Sequence, residues 1–358
     1  MTNKKSSQHF KYKNNNSSTN NYIIKKDTRT EENPYKIFNL LQLGINIPVL
    51  DEFKQYILHD LIYFKAKSLL MLENGNIVGH ALVYYTDPKT LYFGYFKVAL
   101  DKEDRIIFLL EKLIEYAKKN DFLIIKGPIN IPTIIFGWGF MEKDSESSLF
   151  VHKPVTNPLY IEIFQKNGFI IDLKEFSHEG NIKAIPEEIF KNFDFSNYEI
   201  LNPKSWDEII SLKTEFLELN AKNLSQDSVI TPDTIGVFDN YFAFVQKYGK
   251  PYYFVFVKYK PTDKIVGCFV STPNPFRTNE KGKYDSFFVF TIVLDKEHRK
   301  KSIGWLLTKE AFNQALKHNI NYLSSSIGSN VASTIKMGTR LGFNLTRTHF
   351  IVSLSINQ

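Results

Sequence analysis

From Phe287 to Leu294 the chain runs through aromatic and β-branched side chains without a charge. A stretch so short and so apolar predicts a strand buried on both faces, and therefore central in its sheet. The pattern then changes period. Lys296, His298, Arg299, Lys300 and Lys301 make a cationic loop, Ser302 and Gly304 follow, and Ile303, Leu306, Leu307, Ala311 and Ala315 recur at helical spacing. This predicts a helix as far as His318. A strand around Asn321 to Ile327 comes next, with Asn330 just beyond it and a terminal helix closing at Leu341-Gly342-Phe343.

The first half shows a similar order. Ile37, Leu40, Leu41, Leu50, Phe53, Ile57, Leu61 and Phe64 predict one or two helices between Pro34 and Ser68, and three alternating stretches predict an antiparallel meander. These are Leu69 to Glu73, Ile77 to Tyr85 and Leu91 to Val98, joined at Asn74-Gly75 and Asp87-Pro88. Ile106 to Lys119 is amphipathic and Phe122 to Lys126 reads as a buried strand. Gly127-Pro128-Ile129-Asn130 opens an irregular stretch containing Gly137 and Gly139, and loops of that length often carry function. Tyr84, Tyr85, Phe93, Tyr95, Trp138 and Tyr160 are either core or the lining of a cleft between the halves.

Laid together, the halves repeat. Ile77-Val78-Gly79 returns as Ile265-Val266-Gly267, Leu100-Asp101-Lys102-Glu103 as Leu294-Asp295-Lys296-Glu297, Asn130 near Asn330, and Gly168-Phe169 near Gly342-Phe343. Their collinearity points to two copies of one domain. The predicted division is a tail over 1–34, a first domain over 35–179, a linker over 180–203 and a second domain over 204–358. After the shared Asp-Lys-Glu-x-Arg, the first copy passes directly to Ile106 and Ile107. It thus lacks the Lys300-Lys301-Ser302-Ile303-Gly304 run.

Composition narrows the function classes. The net charge is +7, but residues 1–34 hold seven Lys or Arg against three Asp or Glu, which leaves +3 for the other 324 residues. No general nucleic-acid-binding body follows from that balance, and no specific nucleic acid is expected. The tail is rich in Asn, Ser, Lys and Thr and is predicted to be disordered. The single cysteine, Cys268, excludes an internal disulfide, fits a reducing compartment and lies in an apolar strand pattern. No apolar run approaches a membrane span and no leader pattern is present, so a cytoplasmic protein is expected, with a monomer compatible with the sequence. No metal is expected.

At the start of the helix after the central strand, backbone N–H groups and the helix dipole favour an anion, and Gly304 admits it closely. Arg299-x-x-Ser302-x-Gly304 after a central strand resembles the pyrophosphate motif of the GNAT superfamily of N-acetyltransferases, with Ser302 in place of the first glycine. The resemblance spans roughly 200 to 358. The stretch Lys126 to Phe169, with Asn157-Pro158-Leu159-Tyr160, is similar to tandem GNAT-like proteins. It implies a mixed α/β fold of two GNAT-like domains, each a mostly antiparallel central sheet flanked by helices, the first copy degenerate. It also implies acetyl-CoA or another acyl-CoA as co-substrate, held by Val293, Leu294, Arg299, Lys300, Lys301, Ser302, Ile303 and Gly304. Asn330 either positions the acyl-donor arm or caps the last helix.

The acceptor would be an amine on a small molecule or peptide. The tyrosine that many family members place four residues before the final Gly-Phe is Gly338 in the second copy and Phe164 in the first, and the central strand has no carboxylate. His298, His349 and Asp285 remain as candidates for proton transfer. Two other readings stay open: a Fem-like transferase using aminoacyl-tRNA, which shares the tandem architecture, and a non-catalytic ligand-binding or scaffold protein.

Overall fold

The computed structural model describes residues 22–27, 38, 39, 41, 47–223, 236–299, 301–328, 336 and 338–356. In the first half β1 (Tyr22–Asp27) pairs with β2 (Lys67–Glu73), and α1 (Lys54–Tyr63) lies between them in the chain. β2 turns at Asn74-Gly75, both at positive φ (50° and 79°), into β3 (Asn76–Tyr84) and then β4 (Thr90–Val98). Two such residues match the right-handed twist of the flanking strands. α2 (Glu103–Lys119) buries Ile106, Leu109, Leu110, Leu113 and Ala117, one stripe at helical period, and returns the chain to β5 (Ile124–Gly127), parallel to β4. α3 (Thr133–Phe136), β6 (Phe140–Met141), α4 (Leu159–Lys166) and β7 (Ile170–Asn181) complete this half.

The second half repeats the order with β8 (Tyr198–Leu201), α5 (Trp206–Ser211), α6 (Lys213–Asn223), α7 (Phe238–Tyr248), β9 (Phe254–Tyr259), β10 (Lys264–Pro273), β11 (Ser286–Leu294), α8 (Ile303–Lys317), β12 (Tyr322–Gly328) and β13 (Asn344–Ser355). Both central strands carry a bulge at the corresponding place. Tyr95 is extra in β4 and has φ 50°, and Phe290 is extra in β11.

The halves share one mostly antiparallel sheet, ordered β1-β2-β3-β4-β5-β13-β7-β12-β11-β10-β9-β8. The last strand of each half has crossed over: β7 pairs with β12 of the second half, and β13 pairs with β5 of the first. β7 and β13 pair with each other at the join. The halves thus join in one sheet, and the stretch 180–203, expected as a linker, contains β8 and the end of β7. The tail is also not without structure throughout, because Tyr22–Asp27 extends the β2 edge and Tyr22 donates from its hydroxyl to Asp104 (2.9 Å). The rest of 1–34, together with Lys300 and Asn330, lies outside the described residues.

One apolar core sits under α2 and α4. The other runs from Phe53 and Ile57 through Phe136 and Val151 to Phe244, Phe287 and Leu323, so first-half residues 131–136 and 150–151 pack into the second half. Tyr84, Phe93, Tyr95 and Tyr160 are fully buried core residues and only Tyr85 of the six aromatics is exposed, while Trp138 is half-buried. Cys268 is buried, and burial pushes its thiol up to about 12. Among the described residues no helix is long and apolar enough to cross a membrane.

Burial holds the imidazoles of His80 and His349 down to about 4 and about 3. In the unfolded chain each takes a proton near pH 6.5, so stability is present above that pH and is lost as the pH falls toward the folded values. Each histidine contributes on the order of 3 kcal/mol to that loss. Urea unfolding at pH 5 should therefore show a lower midpoint than at pH 7.5, and His80→Gln should narrow the difference.

Candidate functional site

β11 and β12 run parallel and pair from Ser286–Tyr322 to Val289–Ser325, where pairing stops. β11 continues to Leu294 and β12 to Gly328. The two strands part at the Phe290 bulge, and the β11 edge beyond Val289 has no β12 partner. An edge left in this state accepts an extended ligand through main-chain hydrogen bonds.

At the far end of that edge lies the predicted anion cradle. Asp295 Oδ1 accepts from Glu297 N (3.1 Å) and its Oδ2 from Lys222 Nζ (2.7 Å), which holds the turn after β11. Ser302 stands at the N-cap of α8 with φ 59° and ψ 13°, and its side chain makes no capping bond. A Cβ at Gly304 would meet only Leu294 Cδ1, at 3.7 Å, so the approach to the first-turn N–H groups is open. Lys301 is exposed beside it and Ile303 is buried, anchoring the first turn. Val293 is buried in the β10 ladder.

Arg299 departs from its expected role. Its Nε donates to the Leu294 carbonyl (3.2 Å) and its Nη2 to the Asn223 carbonyl (3.1 Å). Those carbonyls, at a strand end and a helix end, need donors. Arg299 therefore braces the loop from behind. The left-handed Ser302 is the strained point of this loop, because a Cβ in that region costs about 1 kcal/mol or more. Ser302→Gly should raise the urea midpoint by about 1 kcal/mol of stability, whereas Ser302→Ala should not.

The three proton-transfer candidates are not brought together. His298 packs between Tyr198 and Tyr259 with Nδ1 2.9 Å from the Tyr198 hydroxyl, and burial lowers its basicity. His349 is fully buried with Nε2 2.9 Å from the Pro154 carbonyl, to which it donates as a neutral ring. Asp285 precedes β11 at the end away from the cradle and pairs with Arg277 (3.1 Å).

Sequence reasoning missed a buried charged group beside the parting of the strands. Glu175 Oε1 lies 3.3 Å from Lys153 Nζ, and that ammonium sits 4.9 Å from the Phe288 ring centroid. Glu179 Oε1 accepts from Arg347 Nε (3.0 Å) and Ser324 Oγ (2.9 Å). His152, at φ 67°, stacks on Phe288 at 4.3 Å and donates from Nδ1 to the Thr133 carbonyl (2.5 Å). The signal was in the sequence: Glu175, Ser177 and Glu179 put three polar residues on one face of a strand.

The sequence profile of the Acetyltransferase (GNAT) family matches residues 218–343, which contain the parting strands and the cradle. Residues 218–343 form a GNAT acetyltransferase domain. No curated protein matches the chain. Among solved structures, a tandem GNAT protein from the clavulanic acid biosynthesis pathway is 13% identical over 94% of this chain and 99% of its own, with a TM-score of 0.57. A GCN5-related N-acetyltransferase from Sphaerobacter thermophilus is 10% identical over 94% and 96%, with a TM-score of 0.54. A GCN5-related glucosamine N-acetyltransferase region of a fungal multi-domain GH3 β-N-acetylglucosaminidase reaches 0.64 at 14% identity, over 94% of this chain and 38% of that one. At these identities the likeness shows the fold.

Among the described residues the GNAT domain has an open edge where the first half has a closed one. β4 and β5 pair only from Thr90–Ile124 to Tyr92–Lys126, and the following chain then fills the gap. Ile129 N donates to the Phe93 carbonyl (2.7 Å), Asn130 Oδ1 accepts from Tyr95 N (2.7 Å), and the Tyr84 and Tyr95 hydroxyls donate to the carbonyls of Ile129 (3.0 Å) and Ile131 (2.6 Å). Gly94 makes this approach possible, since a Cβ there would stand 2.3 Å from the Ile129 oxygen. α2 also begins without a cradle loop, and its first turn carries Glu103 and Asp104, which repel an anion.

Proposed function

We propose that the chain is an acyl-coenzyme-A-dependent N-acyltransferase whose second half binds the donor and whose first half is a degenerate copy. The observation that supports this reading is the contrast between two equivalent openings: among the described residues one is free along its strand edge and at its helix N-terminus, and the other is filled by its own chain. The diphosphate would lie over the N–H groups of Ser302 to Gly304 with Lys301 beside it, and the pantetheine arm along the β11 edge from Leu294 toward Phe290. Acyl-CoA supplies the reactive thioester; the protein binds it, orients it and excludes water, and orientation alone is worth several kcal/mol.

The acceptor in this reading is an amine of a small molecule or peptide. Titration calorimetry with coenzyme A tests the donor: one equivalent bound per chain is the expected result, and no heat at any concentration would overturn it. Mass spectrometry of the purified protein for retained coenzyme A gives an independent check.

A further inference from the structure

We propose that Glu175, contributed by the first half, is the base that takes the acceptor's proton in the site of the second half, with its Oε2 receiving the amine. The inference rests on the acyltransferase reading above.

The strand register puts Glu175 at the right place. β11 and β12 last pair at Val289–Ser325, so Ser326 is the first β12 residue beyond the parting. On β7, Ser177 lies opposite Ser326 and Glu175 lies opposite Gly328, so Glu175 borders the opening on the face that carries Phe288, Lys153 and His152.

The two buried ion pairs in this region differ in one respect. Glu179 is complete: Oε1 takes Arg347 and Ser324, and Oε2 takes Arg347 Nη2 (3.4 Å) and the Tyr322 hydroxyl (3.4 Å). Glu175 is 2% exposed and spends Oε1 on Lys153, and among the described residues its Oε2 has no hydrogen bond of good geometry, with the Ser326 hydroxyl close by. Among the described residues Ser177 Oγ and His152 Nε2 are likewise buried without partners in the same region. Buried polar groups are ordinarily satisfied, so a set of orphans around one carboxylate marks the place of a polar ligand. Burial also raises the affinity of Glu175 for a proton and lowers that of Lys153. No carboxylate stands on β11, and Asp285 is tied to Arg277.

In the step, the acceptor enters as an ammonium and gives one proton to Glu175 Oε2. The freed nitrogen pair forms a bond to the thioester carbonyl carbon, the C–S bond breaks, and the second proton of the acylated nitrogen passes through water to the departing thiolate, leaving a neutral amide and the free thiol. Glu175 then returns its proton to solvent. The charged and titratable groups facing it are Lys153 and His152 from the first-half loop, Glu179 on its own strand, and Arg347 and His349 on β13.

The test uses the full chain, acetyl-CoA and a panel of primary amines (glucosamine, spermidine and a short peptide with a free N-terminus), with released thiol as the readout. Glu175→Gln should bind coenzyme A as the wild type does yet lower kcat by about 100-fold or more. The deficit should shrink as the pH rises and the amine loses its proton unaided, and Glu175→Asp should recover part of the rate. A Glu175→Gln rate equal to wild type, or a deficit that does not change with pH, overturns the proposal. If Glu175→Gln fails to fold, Glu175→Asp decides, and an unchanged kcat is fatal. If no amine is turned over, the rate of thiol release from acetyl-CoA alone is compared, and equal rates overturn the proposal. Failure of the wild type to bind coenzyme A would instead remove the donor reading.

Discussion

Gly304→Glu should abolish coenzyme A binding in a calorimetric titration, while Arg105→Ala leaves the affinity of the wild type unchanged. The glutamate would fill the one open approach to the α8 N-terminus and set a negative charge against the diphosphate, so attraction becomes repulsion in the same place. Arg105 corresponds to Arg299 in the repeat, but it is buried and committed to Glu73 (2.7 Å) and the Ala99 carbonyl (3.0 Å) in a half whose strand edge is filled. Arg299→Ala should fall between the two, weakening binding measurably but short of abolishing it, through loss of the brace behind the loop. Equal losses from Arg105→Ala and Arg299→Ala would refute a single donor site.

Arg347→Ala should be the most destabilising single substitution near the join, by about 3–5 kcal/mol in urea unfolding. Its side chain is 0% exposed. It meets Glu179 through Nε, and its Nη1 and Nη2 donate to the Ser148 carbonyl (2.7 Å) and hydroxyl (3.0 Å), so it fastens β13, β7 and the loop before Lys153 to one another. Truncation strands the Glu179 carboxylate in a dry interior, which costs more than the pair contributed. The double variant Arg347→Met/Glu179→Leu should therefore lie closer to wild type than Arg347→Ala alone. A single-variant loss below about 1 kcal/mol would show that water reaches Glu179.

Much of the local structure was legible. The charge-free run to Leu294 is β11, the helical spacing after Ser302 is α8, and the first-half turns at Asn74-Gly75 and Asp87-Pro88 fall between β2, β3 and β4. Those features depend on periods of two and 3.6 residues, which a single sequence displays. The identity of strand neighbours was not legible, because nothing in the alternation of Ile170–Asn181 says that its partners lie at Tyr322–Gly328 and Asn344–Ser353. The site suffered for the same reason. Lys153, Glu175 and Phe288 lie far apart in the chain and meet only because β7 crosses over. The bracing bonds of Arg299 were not legible, because a motif match cannot show that two carbonyls claim its donors. The left-handed turn at Ser302 was legible only through the motif, which has a glycine at that position.

The crossover of β7 and β13 also sets the timetable of assembly. As the chain leaves the ribosome, β5 emerges with its outer edge unpaired, because its neighbour β13 lies more than two hundred positions further along the chain. The edge of β7 meant for β12 waits as well. Each half thus passes through synthesis with an open row of N–H and C=O groups, a template for mispairing with another nascent copy. Closure requires contacts between residues more than two hundred positions apart, such as Val352 with Gly127. Folding of this kind is slow because so long a loop must be closed before any contact rewards it.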